Sequence, residues 1–190
     1  MKIIIARYTE NVEWSKQFEN VVICNKGEKL EDGYNEIIYP DNVGRESHTY
    51  YKYICDNYDN LDDYLIFLQG NPFDHSPNVI NTLNNYINKY KNKDLNLNFE
   101  FISEDIINCN LAKCDNNYIL PLQEVYEKLF NEKKLELQFV FGAGAQFIVS
   151  REAILKRPKS FYEKIVKMNE YHNLPVEAYV IERFHSLFFQ

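Results

Sequence analysis

Residues 64–77 read YLIFLQGNPFDHSP, and the fold turns on them. Tyr64-Leu65-Ile66-Phe67-Leu68 is an apolar run of strand length, and its hydrophobicity does not alternate. That pattern predicts a strand buried on both faces, as in a parallel sheet covered by helices. Gln69-Gly70 ends the run, Pro72 turns the chain, and Asp74-His75 follow as an adjacent pair. Open α/β sheets bind ligands in the crevice outside the carboxyl ends of their strands. A carboxylate beside an imidazole at that point fits ligand or divalent-cation chemistry. The plainer alternative is a turn-forming Asp next to an exposed His.

The segments on either side extend the same reading. Residues 3–8 form an apolar, β-branched run, a short helix is expected over 11–18, and Val21-Val22-Ile23-Cys24 is a second buried strand. Together they predict a βαβ unit and parallel pairing. Residues 28–43 are rich in loop formers. A helix is expected from about 44 to 58, with Tyr50, Tyr53, Ile54 and Tyr58 inward and Arg45, His48, Thr49 and Lys52 on a polar face. Ser76-Pro77 is read as a helix start, with the helix running to about 90. Strands are expected near 97–102, 136–141 and 145–149, and helices at 121–130, from Arg151, over 162–170 and from Pro175. Residues 103–117 are read as a polar surface excursion. The expected fold is one α/β domain spanning 1–190, with a mixed, mainly parallel central sheet and helices on both faces.

Composition narrows the function. The 190 residues carry a formal net charge of -7, with 45% hydrophobic and 26% charged residues, an ordinary globular balance. There is no basic face for nucleic acid or anionic lipid. Asn, Lys, Ile and Tyr are used heavily, as in an AT-rich genome, so Arg7, Arg45, Arg151, Arg157 and Arg183 stand out as positions where a planar fork matters. Cys24, Cys55, Cys109 and Cys114 show no CxxC spacing. Cys109 and Cys114 flank a polar loop and are placed to approach one another, but free thiols in a reducing, cytoplasmic compartment are expected. The first apolar run is too short for a signal peptide, and no run is long enough to span a membrane.

Arg7, Tyr8 and Glu10 sit where the first strand leaves the sheet. An aromatic there suits base stacking, and an Arg suits phosphate. Gly44-Arg45-Glu46 opens a helix whose free N–H groups suit an anion. Gly142-Ala143-Gly144-Ala145-Gln146 is a small-residue junction that permits close approach of a ligand or another backbone. It matches neither a P-loop nor GxGxxG. Glu182 lies in the most apolar helix, so it must be paired with Arg183 or Arg151, or face a cleft. No Ser-His-Asp, HExxH or zinc-finger pattern is present.

Five stretches, IIIARYTENVEW (3–14), NVGRESHTYYKYI (42–54), NYDNLDDYLIFLQGNPFDH (57–75), GAGAQFIVSREAILKRPKSFY (142–162) and PVEAYVIERFHSLFF (175–189), carry a resemblance in order along the whole chain. The chain resembles a domain-of-unknown-function family of fungi, bacteria and large DNA viruses related to nucleotide-sugar glycosyltransferases of the GT-A fold. It also looks like a glycosyltransferase domain of chlorella-infecting viruses. The resemblance implies a GT-A-like domain that takes a nucleoside-diphosphate sugar, UDP-linked, and a glycan or protein-glycan acceptor. It implies Mn²⁺ or Mg²⁺ at an acidic motif after a central strand, here Asp74 with His75, one carboxylate where that motif has two. Arg7 and Tyr8 would meet base or ribose, and Arg45 the diphosphate or sugar. Gln69, Gly144 and Gln146 would line the donor pocket, and Asp74 and Glu182 would serve catalysis. The alternative is a protein of the same fold that binds nucleotide sugar or carbohydrate without turnover.

Overall fold

A computed structural model describes residues 1–116 and 119–189. Its central sheet has six strands: β1 (Lys2–Arg7), β2 (Val21–Asn25), β3 (Glu36–Ile38), β4 (Tyr64–Gln69), β5 (Phe99–Phe101) and β8 (Phe147–Ser150). Their order is β3-β2-β1-β4-β8-β5. The β1–β2, β2–β3 and β1–β4 pairs are parallel, and β8 runs antiparallel to both β4 and β5. The parallel β1–β2 pairing and the mixed, mainly parallel sheet are as the sequence implies.

Strand alternation splits the core in two. Ile4, Ala6, Leu65 and Phe67 face a cluster containing α1 (Arg45–Asn57), α5 (Lys159–Asn169) and α6 (Val176–Phe188). Ile3, Ile5, Ile66 and Leu68 face the other side, against Val79, Leu83 and Tyr86 of α2 (Val79–Lys91). Both faces are therefore covered, and this explains why β1 and β4 read as unbroken apolar runs. α3 (Leu122–Phe130) and the short α4 (Arg151–Leu155) complete the helices among the described residues. Ser150 caps α4 by accepting the Ala153 N–H at 3.1 Å.

Several expectations are corrected. The strand expected at 136–141 is β7 (Gln138–Gly142), and it lies outside the central sheet. It pairs antiparallel with β6 (Ile106–Asn110), inside the segment read as irregular. β6 was hidden because IINCN holds only two consecutive apolar residues before Asn108, too short a run to read as a strand. β3 is also new, three residues on an edge, of which Ile37 and Ile38 are exposed. The helix expected at 11–18 is a single 3₁₀ turn, Glu13–Gln17. Ser76 does not cap α2: its hydroxyl donates to the Ile102 carbonyl at 3.1 Å, and the helix starts at Val79. His48 and Thr49, placed on a polar helix face, are buried. The expectation of four free thiols fails, because Cys109 and Cys114 form a disulfide across the turn after β6; Cys24 and Cys55 are free and buried. Asn117, at the end of the expected excursion, lies outside the described residues.

Candidate functional site

From β1 the chain steps to β2 and β3 on one side, then returns to β4 on the other. The strand order therefore reverses at β1, and the crevice beyond the carboxyl ends of β1 and β4 is where such sheets bind ligands. Its backbone is drawn tight. A Cβ on Gly27 would fall 1.7 Å from the Tyr8 carbonyl oxygen, so only glycine lets these two turns meet. Arg7 holds the rim. It donates to the Glu10 carbonyl at 2.9 Å, the Asn25 Oδ1 at 2.8 Å and the Glu28 carbonyl at 2.9 Å. The Glu10 carboxylate accepts the Tyr8 and Thr9 N–H groups at 2.7 and 3.1 Å. Tyr8 is left half exposed at the mouth.

Opposite stands the start of α1. Gly44 and Arg45 both have left-handed backbone, φ 62° and 52°. A Cβ on Gly44 would lie 2.6 Å from the Cβ atoms of Asn169 and His48. Arg45 donates to the Tyr179 hydroxyl at 2.9 Å, with its guanidinium carbon 4.7 Å from that ring's centroid. Its Nε reaches the Glu46 carboxylate at 3.3 Å, and Glu46 also accepts Gln69 Nε2 at 3.3 Å. Lys26, buried at the end of β2, donates to the Val43 carbonyl and, at 2.7 Å, to the Arg45 carbonyl. Burial lowers its pKa to about 8, against the pull of Glu46 and Cys24. A cavity of about 380 Å³ opens here between Tyr8, Glu10, Lys26, Arg45, Glu46 and Leu174.

The second half of the site joins the loop after β4 to the turn after β7. Gly144 has φ 85°, and a Cβ there would lie 2.5 Å from His75 Cδ2. Its N–H donates to Glu182 Oε1 at 2.8 Å. Glu182 Oε2 lies 3.6 Å from Arg183 Nη1, whereas Arg151 pairs with Asp63 instead. Burial raises the Glu182 pKa, and Arg183 and the Gly144 N–H hold it down in part; Glu46 adds to the rise and Arg45 opposes it. Glu182 thus faces the turn and feels the charges at the α1 start.

The sequence-derived residues fall into three groups. Tyr8 and Arg45 line one cavity, and Gln69 reaches its wall through Glu46. Glu182 and Gly144 meet at the adjoining turn. Arg7 is occupied in holding the rim. Gln146, fully buried, donates to the Pro72 carbonyl at 2.9 Å and fixes the loop instead of lining a pocket. Asp74 is exposed, accepts from Asn71 at 3.3 Å, and does not line that cavity. His75 Nδ1 lies 3.0 Å from Asp105 Oδ2. Among the described residues no group of three or more His, Cys, Asp or Glu is placed to hold a metal ion.

Sequence reading missed Lys26, Tyr179 and Asp105 as members. Lys26 had a visible signal, a lone cation ending a buried strand before Gly27. Tyr179 looked like one more apolar position of α6, and Asp105 lay in a segment read as loop.

Comparison with known proteins gives one match. The family described as "Protein of unknown function (DUF3431)" matches over residues 3–190. No curated protein and no solved structure matches the chain.

Proposed function

This chain belongs to the DUF3431 family, and from that premise we propose that it is a glycosyltransferase using a nucleoside-diphosphate sugar, with UDP as the nucleotide and a glycan or protein-glycan as acceptor. The supporting observation is the crevice at the reversal of strand order, where an exposed aromatic, two cations and a held carboxylate share one end of the sheet. Tyr8 offers a face for the base. Arg45, fixed against Tyr179, offers its free guanidinium edge to the diphosphate, and Lys26 adds positive charge behind it. Both would stabilise the departing diphosphate as the bond from the anomeric carbon to its oxygen breaks. In an inverting reaction the acceptor hydroxyl forms the new bond to that carbon, and Glu182 takes its proton. The raised Glu182 pKa suits that task, because a base works best near the working pH.

Mn²⁺ or Mg²⁺ is part of the expectation, with Asp74 and His75 as holders. The donor set does not fit a preassembled site. Asp74 stands exposed and accepts from Asn71, its one side-chain hydrogen-bond partner among the described residues, and Nδ1 of His75 is engaged by Asp105. Hard cations need several oxygens, so no step is routed through a metal. No described helix is long and apolar enough to cross a membrane. Cytoplasmic action is part of the proposal, and the Cys109–Cys114 disulfide weighs against a strongly reducing site.

The lone Asp74 favours a second reading, a binding protein of the same fold without turnover. A thermal-shift panel of UDP, other nucleoside diphosphates and their sugars, with and without Mn²⁺, tests both. UDP stabilisation with no hydrolysis or transfer from any UDP-sugar selects the binder. No stabilisation by any nucleotide or nucleotide sugar refutes the transferase and a nucleotide-sugar binder alike; free sugars and oligosaccharides in the same assay then test the carbohydrate-binding form of the second reading.

A further inference from the structure

Lys26 is 8% exposed, and its ammonium is directed at backbone. Its two acceptors, the carbonyls of Val43 and Arg45, bracket two consecutive left-handed residues, Gly44 and Arg45, at the start of α1. For Gly44 that conformation is free of penalty, but for Arg45 it is strained, since an L side chain crowds the following carbonyl. Such strain persists only where the surroundings over-determine it. Other bonds brace the bend. Thr49 Oγ1 donates to the same Arg45 carbonyl at 3.3 Å, and the Gly44 N–H donates to the His172 carbonyl at 2.9 Å. Lys26 alone spans both sides of the bend from another strand.

The consequence falls on the Arg45 side chain. It leaves the helix at this strained residue and lies against Tyr179, a residue of α6 134 positions away. Relaxation of φ toward ordinary helix values would swing it off that ring. We propose that Lys26 is a positioning residue for the crevice: its buried ammonium holds the Gly44–Arg45 bend so that Arg45 is presented over Tyr179, at the place where a diphosphate would lie. The nucleotide part of this inference rests on the function proposed above; the tether itself does not.

A charged ammonium donates to the two carbonyls more strongly than a neutral amine does, so the tether weakens at alkaline pH. Titration of Lys26 near pH 8 is set by burial and opposed by Glu46 on α1 and Cys24 on β2. The other charged or titratable neighbours are His48, whose own pKa Lys26 helps depress, and Arg45, Arg7 and Glu10 around the same cavity. His48, held down to about 4 by burial, does not titrate between pH 7 and 9.5.

The test uses full-length protein labelled with ¹³C-arginine, followed by NMR from pH 6.5 to 9.5, with UDP titrated at each pH. The Arg45 methylene resonances should move with a midpoint near 8, and UDP affinity should fall at least tenfold between pH 7 and 9.5. Lys26→Met should show displaced Arg45 resonances, no midpoint near 8 and affinity at least tenfold weaker at pH 7. Urea unfolding of both proteins separates this from a loss of folding. Arg45 resonances that stay flat in the wild type overturn the proposal, with or without a foldable variant. Lys26→Met with wild-type UDP affinity overturns it too. If Arg45 titrates as expected while UDP binds at no pH, the tether stands and the glycosyltransferase reading falls.

Discussion

Gly144→Ala strikes the turn that holds Glu182 and His75 together. Two costs follow from the geometry. The backbone at φ 85° is strained for any residue with a Cβ, which is about 1–2 kcal/mol. The new Cβ would also lie 2.5 Å from His75 Cδ2 and 2.9 Å from its Cβ and Cγ. Because the contact reaches the root of the imidazole, a rotamer change does not relieve it and the loop must shift, a further cost of about 1–3 kcal/mol. The expected loss is therefore about 2–5 kcal/mol by equilibrium urea denaturation. A double-mutant cycle with His75→Ala separates the terms, since removing the ring should return the share of the second cost that the ring atoms impose and leave the backbone strain and the Cβ contact. Equal costs in the two backgrounds would show that His75 is not the wall. A cost below about 0.5 kcal/mol, the range of ordinary surface changes, would refute the constraint altogether.

Further outcomes are expected. Glu182→Gln should raise the melting temperature at pH 7 while abolishing sugar transfer. A carboxyl whose folded pKa is raised stabilises fully below its unfolded value of 4.5 and loses that contribution as pH rises through the folded one. The gain should vanish below about pH 4.5; a lowered melting temperature with transfer intact would make Glu182 a structural partner only. His48 is held neutral, its pKa lowered to about 4 by burial. Its folded form binds fewer protons than the unfolded chain between 6.5 and 4, so stability falls as pH drops through that window, and His48→Gln should flatten that limb in acid titrations. Reduction of Cys109–Cys114, which are five positions apart, should cost about 2 kcal/mol on the loop-entropy estimate. Hydrogen exchange should then rise at 106–115 and 138–142 and not in β1 or β4. Because Asp74 and His75 do not form a fitting donor set, Asp74→Ala should leave UDP affinity unchanged in calorimetry with or without Mn²⁺; loss of an Mn²⁺-dependent gain in the variant would put Asp74 in the site.

The central sheet was legible because its signals are local. β1 and β4 are long apolar runs, and a sheet covered by helices on both faces accommodates them. β3 and β6 were not legible, because a three-residue edge strand and a strand reading IINCN carry no run or alternation strong enough to register. Tertiary pairing makes them strands. The same division separates β7 from its expected sheet. The sequence of β7 shows a strand, but only the small-residue turn at 143–145 and the partner β6 decide which sheet it joins.

The candidate site divides along that line too. Tyr8, Arg45 and Glu182 were found because each violates its surroundings: an aromatic at a strand exit, a fork at a helix start, a carboxylate in an apolar helix. What they touch was not readable. Nothing local says that Arg45 meets Tyr179 rather than a loop, or that Glu182 is held by the Gly144 N–H and not by Arg151. What Arg7 and Gln146 bond to was no more readable. Arg7 lines the cavity while donating to two backbone carbonyls and to Asn25 Oδ1, and Gln146 donates to the Pro72 carbonyl, bonds that shape the crevice. A buried donor left unsatisfied costs more than a made bond returns, so polar side chains beside tight turns are recruited to the turns first. The residues free to act on a ligand are those with an unused edge toward the cavity. By that criterion Tyr8 and Arg45 are the strongest claimants here, and Lys26 serves them from behind.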